Sequence, residues 1–175
     1  MNVIVKIYAG YIAAVFAVCS GCGGGEEVTR ASLARAKALW AKAAVRDYDI
    51  EWSSMTSSAS RYRAQVRDGR VRKVEMLRQD RYIEVHPGDP KYYGVDGLFL
   101  VVADDLAQLD QPAPFGMPKG TKVILRFQPD PELGYPKMYR RNVLGAQYGV
   151  AVDVLRFVNV SPEASASNKD TAGGG

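Results

Sequence analysis

Arg61-Tyr62-Arg63-Ala64-Gln65-Val66-Arg67-Asp68-Gly69-Arg70-Val71 is the stretch on which the fold turns. Tyr62, Ala64 and Val66 alternate with Arg61, Arg63, Gln65 and Arg67, the period of a strand with one apolar and one solvated face. Asp68-Gly69 follows at once, and Val71 opens a return strand. Asp-Gly between alternating segments is the strongest short-range hairpin signal, because both central residues tolerate positive φ. This hairpin makes one antiparallel pair, from which the reading of the sheet starts. Alternation sets Arg61, Arg63 and Arg67 opposite the apolar side chains, and the turn brings Arg70 and Arg72 near them.

Upstream, Tyr48, Ile50 and Trp52 alternate with Asp49, Glu51 and Ser53, a second half-buried strand. Before it, Leu33, Ala36, Trp40 and Ala43 fall on one helical stripe, so a helix is expected over about 31–46, with Thr29 or Ser32 able to cap it. Downstream, Ile83 and Val85 mark a short strand that stops at His86-Pro87-Gly88. A second helix is expected over about 96–109. Its buried face takes Leu98 or Phe99, Val102, Leu106 and Leu109, with Asp104, Asp105 and Asp110 outside. Pro112, Pro114 and Pro118 end it. Strands near 123–127, 138–144 and 150–157 complete the pattern. The class is α+β: an antiparallel sheet of about six strands with two helices packed on one face.

The two ends read differently. Met1 to Lys6 is short with one positive charge, Ile7 to Val18 is almost wholly apolar, and Ser20-Gly21 places small residues before Cys22. The apolar run is about a dozen residues, whereas a spanning helix needs roughly 20. This is the order of a bacterial lipoprotein signal over residues 1–21, cleaved before Cys22, which then carries acyl chains. Gly23 in place of aspartate favours outer-membrane over inner-membrane sorting. Residues 22–30 read as a flexible tether, 31–158 as a single α+β domain, and 159–175, rich in Ser, Ala and Gly, as a disordered tail.

Removing residues 1–21 leaves 154 of the 175 residues, with 22 basic and 19 acidic side chains. An excess of three is too weak for a nucleic-acid partner. With Cys19 in the signal and Cys22 lipidated, no thiol remains for a disulfide, a thiolate metal site or a nucleophile. His86 is the only histidine. No metal site and no cofactor are expected, since zinc would have to rest mainly on carboxylates.

Three stretches also carry a resemblance: the Leu39-Trp40 helix leading to Tyr48-Asp49-Ile50, the Tyr62–Val71 hairpin, and Val95-Asp96-Gly97-Leu98-Phe99 with the distal Pro129-Asp130-Pro131-Glu132-Leu133-Gly134-Tyr135-Pro136 turn. In these the chain resembles the bacterial lipoprotein domain-of-unknown-function family number 6174. The resemblance implies a lipid-anchored envelope domain of similar fold and no particular activity. Members often carry two nearby cysteines just after the first strand. Here that place reads Ser53-Ser54-Met55, so a disulfide or metal role there is absent.

The arginines Arg61, Arg63, Arg67, Arg70 and Arg72 form a candidate anion-binding face, since guanidinium forks grip phosphate and carboxylate bidentately. The other reading is a solvated face whose like charges discourage edge pairing. Asp130, Glu132 and Tyr135 mark a candidate recognition turn, and Tyr92, Tyr93, Tyr139 and Tyr148 add aromatic surface suited to contact. The expectation is a non-enzymatic envelope protein, anchored to the membrane by its lipid, that binds a partner protein or an anionic envelope component. The alternatives are an envelope or cell-wall hydrolase using His86 with a carboxylate, and a structural assembly subunit with a large exposed apolar patch.

Overall fold

The structure, a computed structural model, describes residues 24–146 and 149–160. The signal segment, Cys22, Tyr148 and the tail from 161 onward lie outside the described residues. Helix α1 spans Arg30–Ala43 and α2 spans Val95–Gln108; the strands are β1 (Glu26–Glu27), β2 (Tyr48–Met55), β3 (Ala59–Arg67), β4 (Arg70–Arg78), β5 (Arg81–Glu84), β6 (Val123–Pro129), β7 (Pro136–Val143) and β8 (Val150–Asn159). They form one antiparallel sheet in the order β1-β6-β7-β8-β2-β3-β4-β5. The class is α+β, with eight strands rather than about six. Of these, β1 has no sequence signature, because two residues cannot show an alternation.

Each helix is followed by a meander, β2 to β5 after α1 and β6 to β8 after α2. The meanders join where the last strand, β8, pairs along the whole of β2. Both helices pack on one face, so Leu33, Ala36 and Trp40 of α1 and Val95, Leu98, Phe99 and Val102 of α2 share a core with Tyr48, Ile50, Ala64, Val66, Leu125, Phe127 and Tyr139. Among the described residues no helix lies over the opposite face. The register keeps the expected alternation: Tyr62, Ala64 and Val66 face the helices, and Arg61, Arg63, Gln65 and Arg67 the open side. Asp68 and Gly69, both at positive φ, make the turn.

Local chemistry sets the helix ends. Thr29 Oγ1 accepts the Ser32 N–H at 3.0 Å while Ser32 Oγ accepts the Thr29 N–H at 2.9 Å, so both expected residues cap α1 reciprocally. The helix stops at Ala43, short of the expected 46, because Ala44 turns left-handed (φ 49°) to return the chain to β2. Trp40 centres the core, its ring edge-on to Tyr48 and Phe157 at 5.5 and 5.9 Å, its Nε1–H donated to Asp96 Oδ1 at 3.1 Å. Tyr48 in turn accepts the Val95 N–H at 2.9 Å, fastening the start of α2 to β2. Burial pushes the Tyr48 phenol up to about 12, so the hydroxyl stays neutral.

Three expectations are corrected. Residues 24–30 are not a free tether: Glu26 and Glu27 pair with Phe127 and Arg126, and the buried Val28 donates its N–H to Leu125 O at 2.9 Å. Val28 enters the core and draws the polar residues before it onto β6. Asp105, expected outside, is buried between α2 and β7. It accepts from the Tyr139 hydroxyl at 2.6 Å and from Arg141 at 2.8 Å, partners supplied by a strand far along the chain. Tyr135 and Tyr139 are core residues rather than surface ones, and Tyr135 stacks on Phe157 at 4.6 Å.

The Asp130–Pro136 turn is itself docked under α1. Gly134 sits at φ +80°, and a Cβ there would stand 2.4 Å from Ala36 O. Gly134→Ala is expected to lose about 3 kcal/mol, from left-handed backbone strain plus the overlap. Gly120→Ala, at φ +88° in open space, meets the strain alone. Urea unfolding checks this: the midpoint should fall clearly further for Gly134→Ala, with the slope unchanged. Equal midpoints would mean that the turn does not bear on the helix.

Candidate functional site

The open face of the sheet centres on Glu51. Alternation along β2 turns this carboxylate away from the helices, yet it is only 5% exposed. Its neighbours across the sheet bury it: Arg63 lies directly opposite on β3 and Arg156 directly opposite on β8. Arg63 Nε donates to Oε2 at 2.8 Å, Arg61 closes an ion pair on Oε1, and the Tyr82 hydroxyl from β5 donates to Oε1 at 3.0 Å. The Arg63 guanidinium also lies 3.6 Å from the centre of the Tyr82 ring, a stacked cation–π contact.

Burial pushes the Glu51 carboxyl up, but the hydrogen bonds from Arg63, Tyr82 and Arg61 together outweigh it and hold the group below its ordinary value. The same contact, with burial the larger cause, raises the Tyr82 phenol. Glu51 is thus an ionised anchor that fixes two guanidinium groups, not a proton donor or acceptor free for chemistry.

Around it is a cleft of about 180 Å³ whose polar rim is made by Asp49, Arg63, Gln65, Glu75 and Arg156. Arg63 is engaged through Nε; among the described residues its two terminal amino groups make no hydrogen bond, and Arg156 makes no ion pair. Two cationic forks therefore reach the cleft with donors to spare. Along the strands the charge is uneven. Residues 59–84 carry eight Arg or Lys against four Asp or Glu, an excess equal to the +4 of the whole chain.

The candidate arginines divide. Arg61 and Arg63 are brought together by Glu51, while Arg67 is turned to Asp49 Oδ1 at 2.8 Å and to the carbonyls of Tyr48 and Val66. Arg70 lies opposite Arg67 in the register, and Arg72 occupies a bulge, since Gln65 pairs with Lys73 and Val66 with Val71. Arg70 and Arg72 instead border two other hollows, one with Lys91 and Asp96, the other with His86 and Glu84. Sequence reasoning missed Arg156, whose position opposite Glu51 depends on a bulge that makes Leu155 the extra residue between β8 and β2. It also missed Tyr82, which reaches Glu51 from the edge strand.

In the candidate recognition turn, the Asp130 carboxylate accepts the N–H groups of Glu132 and Leu133 at 3.0 and 2.9 Å, shaping the loop from within. Of the three candidates there, Tyr135 is buried, Asp130 is half-buried and Glu132 is exposed. Of the remaining tyrosines, Tyr92 is exposed and Tyr93 packs against Trp52 and Tyr62. His86 is exposed after β5, in a hollow of about 120 Å³ that Glu84 also borders, with Lys73 4.0 Å from that carboxylate. Among the described residues no three His, Cys, Asp or Glu side chains converge as a metal set, and no helix is long and apolar enough to cross a membrane. No protein-family model matches the chain, and no curated protein is significantly similar to it.

Because the folded pKa of Glu51 lies below the ordinary 4.5, its contribution to stability is present above that value and is lost as the pH falls through the folded pKa. Arg61 and Arg63 are each about half exposed and can rehydrate when freed. Glu51→Gln is therefore expected to cost about 1–2 kcal/mol at pH 7, less than a fully buried pair would. Chemical unfolding of both proteins from pH 7 to pH 3 should show the gap closing below 4.5. A gap that stays constant would remove the ionised clamp from the account.

Proposed function

We propose that this chain is a lipid-anchored protein of the bacterial cell envelope, held by acyl chains on Cys22, that acts without catalysis as a binding module. Its sheet face takes a carboxylate or phosphate group of a partner protein or an anionic envelope component. On this reading it is a relative of the lipoprotein domain family number 6174 that it resembles, placed at the outer membrane.

The observation that carries the binding reading is the Glu51 clamp. A surface arginine ordinarily spends side-chain entropy to hold one geometry, about 2 kcal/mol for the whole side chain. Here Glu51 and the Tyr82 ring have already fixed Arg63. A ligand that meets it, with Arg156 across the cleft, meets donors set in place beforehand, the condition under which polar contacts yield affinity.

Replacement of Arg63 and Arg156 together by alanine tests this, because Arg61 and Tyr82 still cover Glu51 in the double variant. Two probes separate the sources of the acidic group: vesicles containing phosphatidylglycerol, and polyglutamate as a protein-like polyanion. Binding to one of them should fall about tenfold or more, the worth of one lost charge-assisted hydrogen bond or better. Arg78→Ala with Arg81→Ala, at the far end of the β4–β5 hairpin, should leave it nearly unchanged. Equal losses in the two double variants would reduce the face to diffuse charge and overturn the proposal.

A further inference from the structure

We propose that the anchored protein stands on its β1–β6 edge, with a groove on the open face of β6 and β7 against the phospholipid headgroup layer and the arginine face held clear of it. This rests on the lipid-anchor reading of Cys22.

The argument starts from how far the chain is fixed toward its N-terminus. Val28 is buried, Glu26 and Glu27 pair with β6, and Arg126 donates to Gly24 O at 3.3 Å. Gly25 lies so close to β6 that a Cβ would stand 2.6 Å from Phe127 O. The backbone is therefore held against β6 as far as Gly24. Two Cα–Cα steps separate Gly24 from Cys22, a reach of about 7 Å at full extension. The Cα of Cys22 can therefore be no further than about 7 Å from Gly24, and a lipid on its side chain enters the bilayer beside this edge.

What lies at that edge suits the place. Gly24 borders an open groove of about 780 Å³ whose lining includes Ile124, Met138 and Leu144 together with Arg126. Leu144 is 54% exposed. Aliphatic side chains beside a guanidinium match the boundary between acyl esters and phosphates, where amphipathic surfaces settle. Glu26 and Glu27 are exposed on the same edge and would be repelled by a strongly anionic surface, so the occupant is a mainly zwitterionic headgroup layer.

The sheet order then fixes the rest. Five strand spacings separate β1 from β3, about 24 Å at the usual interval. The basic hairpins are carried to the opposite end of the sheet from the anchor. Arg63 on β3 is therefore held away from the leaflet that holds the lipid, while Arg156 on β8 stands three spacings, about 14 Å, from β1.

A fluorophore on a single introduced cysteine tests this in the full-length lipidated protein, where Cys22 carries no free thiol. Gln128→Cys and Asn142→Cys put the probe on the open side of β6 and β7, and Gln79→Cys puts it at the β4–β5 turn; all three positions are exposed. The protein is reconstituted in phosphatidylethanolamine-rich vesicles with headgroup-level nitroxide lipids. Quenching is expected to be several-fold stronger at 128 and 142 than at 79. Equal quenching, or the reverse order, overturns the orientation. The N-terminal mass of the same sample separates the two claims. An acylated Cys22 with the wrong order sinks the orientation alone, whereas an unacylated chain sinks the anchor and the orientation with it.

Discussion

Everything in this fold depends on the pairing of β8 with β2. One strand closes the chain and the other follows the first helix, so each meander reaches its place only when distant segments meet. That pairing carries a bulge at Leu155, which lets Val154 face the core opposite Trp52 while Arg156 faces outward opposite Glu51. Without the extra residue the segment beyond Val154 would exchange sides, since a one-residue slip reverses every side chain it moves. A single irregularity thus keeps Val152 and Val154 before it and Phe157 after it on the core side, with Arg156 on the open side.

Two layers of polar contacts reinforce the join. On the helix side, Trp40 to Asp96 and Tyr48 to Val95 tie α1, β2 and α2 into one unit, and Tyr139 with Arg141 holds Asp105 of α2 to β7. Among the described residues no buried side-chain nitrogen or oxygen is left without a partner. On the open side, charges pair diagonally between neighbouring strands, Arg67 with Asp49 and Arg140 with Asp153, or along one strand, Lys73 with Glu75. Glu51 differs from these because it is buried and holds three partners, which makes it a structural centre rather than one more surface pair.

Local signals in the sequence were sufficient for the class. Periodicity located both helices and the faces of β2 and β3, and Asp68-Gly69 located the turn, because these depend on residues a few places apart. Burial imposed by remote partners was not legible. Asp105 lies among helix residues that read as solvated, and only Tyr139 and Arg141, more than thirty positions away, satisfy it inside. Tyr135 looked like a recognition residue because nothing near it in sequence shows that α1 lies above. The arginine face was legible as a pattern, but Glu51 at its centre was not. Its partners come from β3 and β5, and a bulge decides that Arg156 of β8 stands opposite it.

The two borders of the sheet have a consequence for crowding. At one border stands a strand of two residues, at the other a strand of four. Such short margins leave few unpaired amide and carbonyl groups for a neighbouring molecule to extend the ladder, and Arg81 and Glu84 place charge on the longer one. Copies pressed together can collide at their rims without knitting into a continuous ribbon. The brevity that hides β1 from sequence reading also guards the fold against fibrous self-association.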